Sequence, residues 1–360
     1  MAVRGNARRT VPWWKQQRTQ VIAAVVAVVI VLGAAAAIAL GGGDDEPTAG
    51  GTTTTERTAK PGPGGPIAPL TGVVDLTGDS AKRASMTVKI DNVNLERRPP
   101  QAGLDQADVV YEEPVEGNAT RFAAMFHSQV PNRVGPVRST RFIDPAIVWP
   151  LPGSMYVYSG GTEDKVAAIE EAPVVTIDEN GLVARNARVR DANFRAPHNL
   201  FAIPLALWAS AEDTNPPAPL FLYGKATQDG DPAGIVDVPN GSRAHYEWDA
   251  PSRTWKRSEL LGGNDDTIQP HVTEAGTQIA PTNVIVQRIN GLERKEELLG
   301  EGDAWVFTNG RVMQGRWQRP ALEDRTVFVD ASGREIRLQP GTTWVHLITQ
   351  GEPSISPAAP

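Results

Sequence analysis

Cysteine is absent from this chain of 360 residues. Its absence excludes disulfides, thiolate zinc centres, cysteine nucleophiles and a lipid anchor carried on a cysteine. Histidine is scarce. The five histidines, His127, His198, His245, His271 and His346, show no metal-ligand spacing, so no metal is expected. Gly-x-Ser-x-Gly and phosphate-loop patterns are missing, and no cofactor is expected either. Asp229, Asp231, Gly234 and Asp237 match part of a calcium loop, but Asn240 stands where the loop needs a glutamate.

What is present begins with residues 21–40, VIAAVVAVVIVLGAAAAIAL, a run with no charged side chain. A helix rising ~1.5 Å per residue would span ~30 Å over this run, the hydrocarbon thickness of a bilayer. Residues 21–41 are therefore expected to form a single transmembrane helix, with the lipid bilayer as the first partner. Arg4, Arg8, Arg9, Lys15 and Arg18 precede the run, and Asp44, Asp45 and Glu46 follow it. Basic residues on the short flank hold residues 1–20 in the cytoplasm and place the body outside. Trp13 and Trp14 suit the headgroup layer. The rival is a cleaved secretory signal ending at Ala37-Ile38-Ala39, although its apolar core would exceed the usual ~7–15 residues. Both readings put the remaining chain outside the cytoplasm.

All five charges of the tail are basic, so the rest carries 30 Lys+Arg against 42 Asp+Glu, a net charge of −12. Such a body has no electrostatic footprint for nucleic acid. Residues 42–66 are rich in Gly, Thr and Pro and read as a disordered linker. Residues 67–215 interleave strands near 86–90, 108–111, 122–126, 155–158 and 174–177 with helices at 164–172 and 204–211. That order predicts an α/β domain with a mixed sheet. Residues 216–350 carry strands near 246–248, 254–256, 284–286, 304–307, 311–313, 327–329, 335–338 and 344–348, with a hairpin signal at Asn309-Gly310. A β-rich C-terminal domain is expected there, followed by a disordered tail at 351–360. Most of the nine tryptophans are expected in core or at the membrane edge, with sugar stacking as the alternative.

Polar groups concentrate between Asp91 and Arg141. Asp91 and Asn92 close the first strand, where sites on α/β sheets lie. Arg97 and Arg98 precede a Pro-Pro turn; Asp108, Glu112, Glu113, Glu116 and Arg121 follow, and Arg138 and Arg141 end the stretch. Carboxylates facing guanidinium forks either bind a charged ligand, tune an acid–base pair or form a structural ion-pair network.

The blocks at 88–92 (VKIDN), 98–104 (RPPQAGL), 106–112 (QADVVYE), 115–117 (VEG), 120–122 (TRF), 135–141 (GPVRSTR) and 196–200 (APHNL) resemble the DUF3048 family of YerB-like bacterial envelope proteins. The second region is similar to that family's C-terminal domain through 246–249 (YEWD), 283–286 (NVIV), 306–310 (VFTNG) and 341–344 (GTTW). The resemblance covers roughly residues 68–348 and implies an envelope protein, with no catalytic residues to carry over. It adds His198 to the candidate polar site, because His198 lies in a matching block. Members of the family use a lipidated cysteine where this chain has its apolar run. The leading expectation is a membrane-anchored extracytoplasmic protein that binds a cell-wall polymer or another envelope protein. The alternative is a hydrolase of envelope glycan, with an acid and a base drawn from Asp91, Asp108, Glu112 and Glu116. In a third reading the β-rich domain alone binds the partner.

Overall fold

In a computed structural model of the chain, residues 65–357 are described, apart from 94–98, 118, 213, 228, 240–243 and 261–266. The apolar run at 21–40, the basic tail and most of the linker therefore lie outside the described residues. Among those described, no helix is long and apolar enough to cross a membrane.

The alternating segment at 86–90 forms β1 (Met86–Asn92), and all seven of its residues are buried. Alternation normally marks one wet face. Here both faces are covered, so Thr87, Lys89 and Asp91 are as dry as Val88 and Ile90. The first region continues with β2 (Val109–Val115), β3 (Ala119–Phe126), helix α1 (Asp144–Val148), β4 (Met155–Val157), helix α2 (Glu163–Glu170) and β5 (Val175–Ile177). Helix α3 (Glu179–Ala184), β6 (Arg188–Arg190), β7 (Leu200–Ala202) and helix α4 (Pro204–Ala209) complete it. Asp178 caps α3 by accepting from Gly181 N at 2.7 Å, and Pro204 opens α4 where a missing N–H costs nothing.

The second region supplies β8 (Asp231–Pro232), β9 (Ile235–Asp237), β10 (Ala244–Asp249), β11 (Thr254–Leu260), β12 (Ile268–Pro270) and β13 (Asn283–Arg288). Then come β14 (Gly300–Thr308), β15 (Arg311–Arg319), β16 (Val327–Asp330), β17 (Thr343–Ile348) and β18 (Ser354–Ser356). The expected hairpin joins β14 and β15 with Thr308 opposite Arg311. Both turn residues have positive φ, 53° at Asn309 and 70° at Gly310, as a type I′ turn requires. Gly310 also has no room for a side chain, since a Cβ would lie 2.7 Å from Trp248 Nε1.

Two expectations are corrected. Residues 335–338 form no strand; they make only single bridges, Val329 to Glu335 and Tyr223 to Leu338, because they turn across two neighbours in succession. The tail at 351–360 is not structureless where described: β18 pairs antiparallel with β9, and Ile355 packs beside the core around Tyr246 and Trp255.

The two regions share one mixed sheet, in the order β16-β15-β14-β13-β17-β2-β3-β1-β4-β5, with β8 paired to β15. Strand β17 sits between β13 and β2 and is parallel to both. The β-rich part also builds an antiparallel sheet, β12-β11-β10-β9-β18. One face of the large sheet carries Tyr111, Met125, Val306 and Val345 under α1 and α2. The other carries Val88, Val110, Phe122 and Trp344 under α3 and α4. The small antiparallel sheet packs Tyr246 and Trp255 against Val284, Val286 and Phe307.

Candidate functional site

Strand pleating sends adjacent residues to opposite faces. Asp91 pairs with Arg121 across β1 and β3, and Asn92 pairs with Thr120. The side chains then diverge. Asp91 meets Arg138 and His198, whereas Asn92 Nδ2 donates to Thr120 Oγ1 at 2.6 Å and to Glu112 Oε1 at 3.3 Å. The candidate residues therefore form two groups, one per face.

The first group gathers on the loop at 135–141. That loop is stitched to the end of β1 by Asp91 N to Pro136 O at 2.9 Å and Arg138 N to Lys89 O at 2.8 Å. Asp91 is fully buried, and its Oδ2 lies 2.5 Å from His198 Nδ1 and 3.3 Å from Arg138 Nε. The Ser139 carbonyl accepts from Arg121 Nη1 at 2.9 Å and from Arg141 Nη1 at 3.5 Å. Two guanidinium groups thus approach one oxygen, with a third on the same loop. Burial, then the charges of Arg141 and Arg138, pull Arg121 down to about 10 against the opposing charges of Asp91 and Glu113. Arg121 is 6 % exposed, and its Nε has no hydrogen-bond partner. Arg138 and Arg141 keep 14 % and 16 % of their side chains in solvent, and His198 keeps 19 %. At the outer edge Glu116 accepts from Arg141 Nη2 and from Lys165 Nζ, both at 2.8 Å. Those partners, Lys165 first, hold its carboxyl down at about 2.

Beneath this loop lies a triad of which only Glu113 stood out in the sequence. Lys89 Nζ donates to Glu113 Oε1 and, at 2.7 Å, to Asp144 Oδ1, and all three side chains are fully buried. Asp144 Oδ2 accepts from Arg141 N at 2.6 Å and from Thr140 Oγ1 at 3.1 Å. The triad thus fixes the backbone that carries the arginines. Burial first, and the neighbouring Asp144 charge second, raise Glu113 to about 7 against the pull of Lys89.

The second group is on the opposite face. Glu112 Oε2 meets Arg257 Nη2 at 3.0 Å and His346 Nδ1 at 3.3 Å, and Glu112 Oε1 accepts from Thr120 Oγ1 at 2.8 Å. His346 Nε2 lies 2.8 Å from Tyr246 OH, and His271 Nε2 lies 2.9 Å from Gln101 Oε1. The Arg257 guanidinium sits 5.7 and 5.2 Å from the Phe122 and Trp344 ring centres. Glu112, Arg257, His271 and His346 are all inaccessible to solvent. Linking β2, β11 and β17, this network fastens the small antiparallel sheet to the large one. Alternation puts Arg257 on the face of β11 that carries buried Trp255, but nothing local in the sequence names Glu112 as its partner.

Asp108 belongs to neither group. It precedes β2 at the far end of the sheet, where its carboxyl accepts from Ser128 N at 2.7 Å and from the Ser128 hydroxyl. Burial raises it to about 6. Arg98 lies outside the described residues. The structure therefore brings together Asp91, Glu116, Arg121, Arg138, Arg141 and His198, and separates Asn92, Glu112 and Asp108 from them.

Comparison with known proteins gives concordant matches. The family model described as "Protein of unknown function (DUF3048) N-terminal domain" matches residues 70–217, and that for the DUF3048 C-terminal domain matches 235–345. The chain is 28% identical over 306 residues to "Putative lipoprotein YerB" of Bacillus subtilis (strain 168), covering 78% of this chain and 86% of that protein. The crystal structure of YerB protein from Bacillus subtilis is similar with a TM-score of 0.67 at 24% identity, covering 80% of this chain and 99% of that one. At that identity the likeness speaks for the fold.

Proposed function

This chain belongs to the DUF3048 family, and we propose that it is an envelope protein held at the outer face of the cytoplasmic membrane, where it binds an anionic wall polymer through its arginine cluster. Three observations support the location: the similarity to a protein named as a lipoprotein, the apolar run at 21–40 and the basic tail before it. The lipid route needs a cysteine, and this chain has none. The tether in our reading is the apolar run.

The observation that carries the binding role is the convergence of Arg121, Arg138 and Arg141 around Ser139 O and Asp91. Like charges crowded in a partly dry site repel one another by a few kcal/mol, and a bound anion relieves that repulsion. Guanidinium forks suit phosphate and carboxylate oxygens. Hydrolysis of envelope glycan is less well supported. Asp91, Glu112 and Glu116 are each paired to a cation, and Asp108 is paired to Ser128.

The test is equilibrium binding of the full chain, in detergent micelles, to soluble poly(glycerol phosphate) and to neutral dextran at two salt concentrations. The phosphate polymer should bind and weaken with salt, while dextran should not bind. Arg138→Gln should weaken binding about 10- to 100-fold, the worth of one charge-assisted hydrogen-bonding group. Equal binding of both polymers, or an unaltered Arg138→Gln protein, would refute the proposal.

A further inference from the structure

Beside Phe142 the surface sinks into a cleft of about 180 Å3 that adjoins the arginine cluster and shares Arg141 and Glu116 with it. Its walls come from both regions: Glu116, Arg141, Phe142 and Lys165 from the first, Leu292 and Glu293 from the second. Sites for drug-sized ligands occupy ~300–1,000 Å3, so this cleft has room for a single ring-sized group. Its chemistry differs from that of the cluster. Two carboxylates oppose two cations, which leaves no net charge to attract an anion. Donors and acceptors stand side by side instead, an arrangement that matches hydroxyls, each of which both donates and accepts. Phe142 and Leu292 add apolar surface, and Lys165 Nζ lies 5.5 Å from the centre of the Phe142 ring. Arg141 links the two places, since it lines the cleft and shares the Ser139 carbonyl with Arg121.

We propose that this cleft seats a sugar ring, and that the ligand is a sugar phosphate whose phosphate lies on the arginines while its ring lies against Phe142 and Leu292. This rests on the anion-binding reading given above and narrows it to a glycosyl phosphate. It also gives the second region a direct part in recognition, because Leu292 and Glu293 close the sugar side.

The test titrates the full chain in micelles with glucose 1-phosphate, inorganic phosphate and glucose. Glucose 1-phosphate should bind at least tenfold more tightly than inorganic phosphate. Phe142→Ala should bring it down to the phosphate value while leaving inorganic phosphate unaltered. Phe142→Leu, which keeps most of the apolar volume, guards against a folding defect and should fall between the two. If glucose 1-phosphate and phosphate bind equally and neither variant alters them, the sugar site is overturned and the anion reading stands. If phosphate and glucose 1-phosphate both fail to bind, or glucose alone binds, the anion reading fails and this inference fails with it.

Discussion

Replacing Lys89 by methionine tests the physical basis of the site from below. The ammonium is the one cation bonded to Glu113 and Asp144 among the described residues, and none of the three side chains reaches solvent. Removing it leaves two carboxylates in a dry pocket under the arginine loop. Breaking a buried pair from one side costs about 3–5 kcal/mol. Domains of 150–250 residues lose ~2–4 °C of Tm per kcal/mol, so a fall of at least ~6 °C is expected. The pH dependence is the sharper part. Glu113 is already raised from 4.5 to about 7 in the folded state, and without Lys89 it rises further. A carboxyl raised on folding contributes stability that is full below its unfolded value, near 4.5, and is lost as pH rises through about 7. The Lys89→Met deficit should therefore be small at pH 5, where Glu113 enters the fold protonated, and large at pH 8. Thermal unfolding followed by tryptophan fluorescence at both pH values measures it. Lys89→Met/Glu113→Gln, which removes one of the stranded charges, should recover a substantial part at pH 8. A deficit that is larger at pH 5, or no deficit at all, would show that the triad is not the closed charge cluster described.

Asp108 is raised by burial from 3.8 to about 6, so its contribution is present below ~4 and lost as pH climbs through 6. Asp108→Asn should flatten the stability curve across that window, and parallel curves for the two proteins would contradict the assignment. Gly315→Ala should destabilise by about 1–3 kcal/mol or more in urea titrations, because a Cβ there would lie 1.9 Å from Val329 O and the β15–β16 pairing would have to shift. Glu116→Gln removes an exposed carboxylate from Arg141 and Lys165. It should alter stability by under about 1 kcal/mol and tighten phosphate binding several-fold; weaker phosphate binding would count against the arginine site.

Much of the sheet was legible in the sequence because its strands alternate or run apolar over four or more residues, as at 86–90, 122–126 and 304–307. The short strands β6, β7, β8, β9, β12 and β18 were not, since two or three residues carry no period; β4 and β5 are as short, but each sits in a run of four residues, 155–158 and 174–177, made up of apolar or β-forming side chains. Helix α1 escaped for a related reason: its five residues are all buried, and so show no amphipathic stripe. The site was half legible. Asp91, Arg121, Arg138 and Arg141 stood out as charged residues at strand ends and in a turn. Lys89 did not, because an alternating strand predicts a wet face and both faces of β1 are covered. Nor could the sequence divide Asp91 from Asn92 and Glu112. Adjacent residues go to opposite faces, but which partners wait there depends on β11 and β17, far along the chain.

The place of β17 has a consequence for how the protein is made. Synthesis runs from the N-terminus, so β2 emerges long before the strand that pairs with its open side. Until residues 343–348 arrive, the middle of the large sheet has two bare edges, one on β2 and one on β13. The final third of the chain is thus the clasp of the first, and chaperones and proteases meet the growing chain while that clasp is undone. A chain that terminates before Thr343 would be sticky and protease-sensitive at its centre, even though nearly all of it has been built.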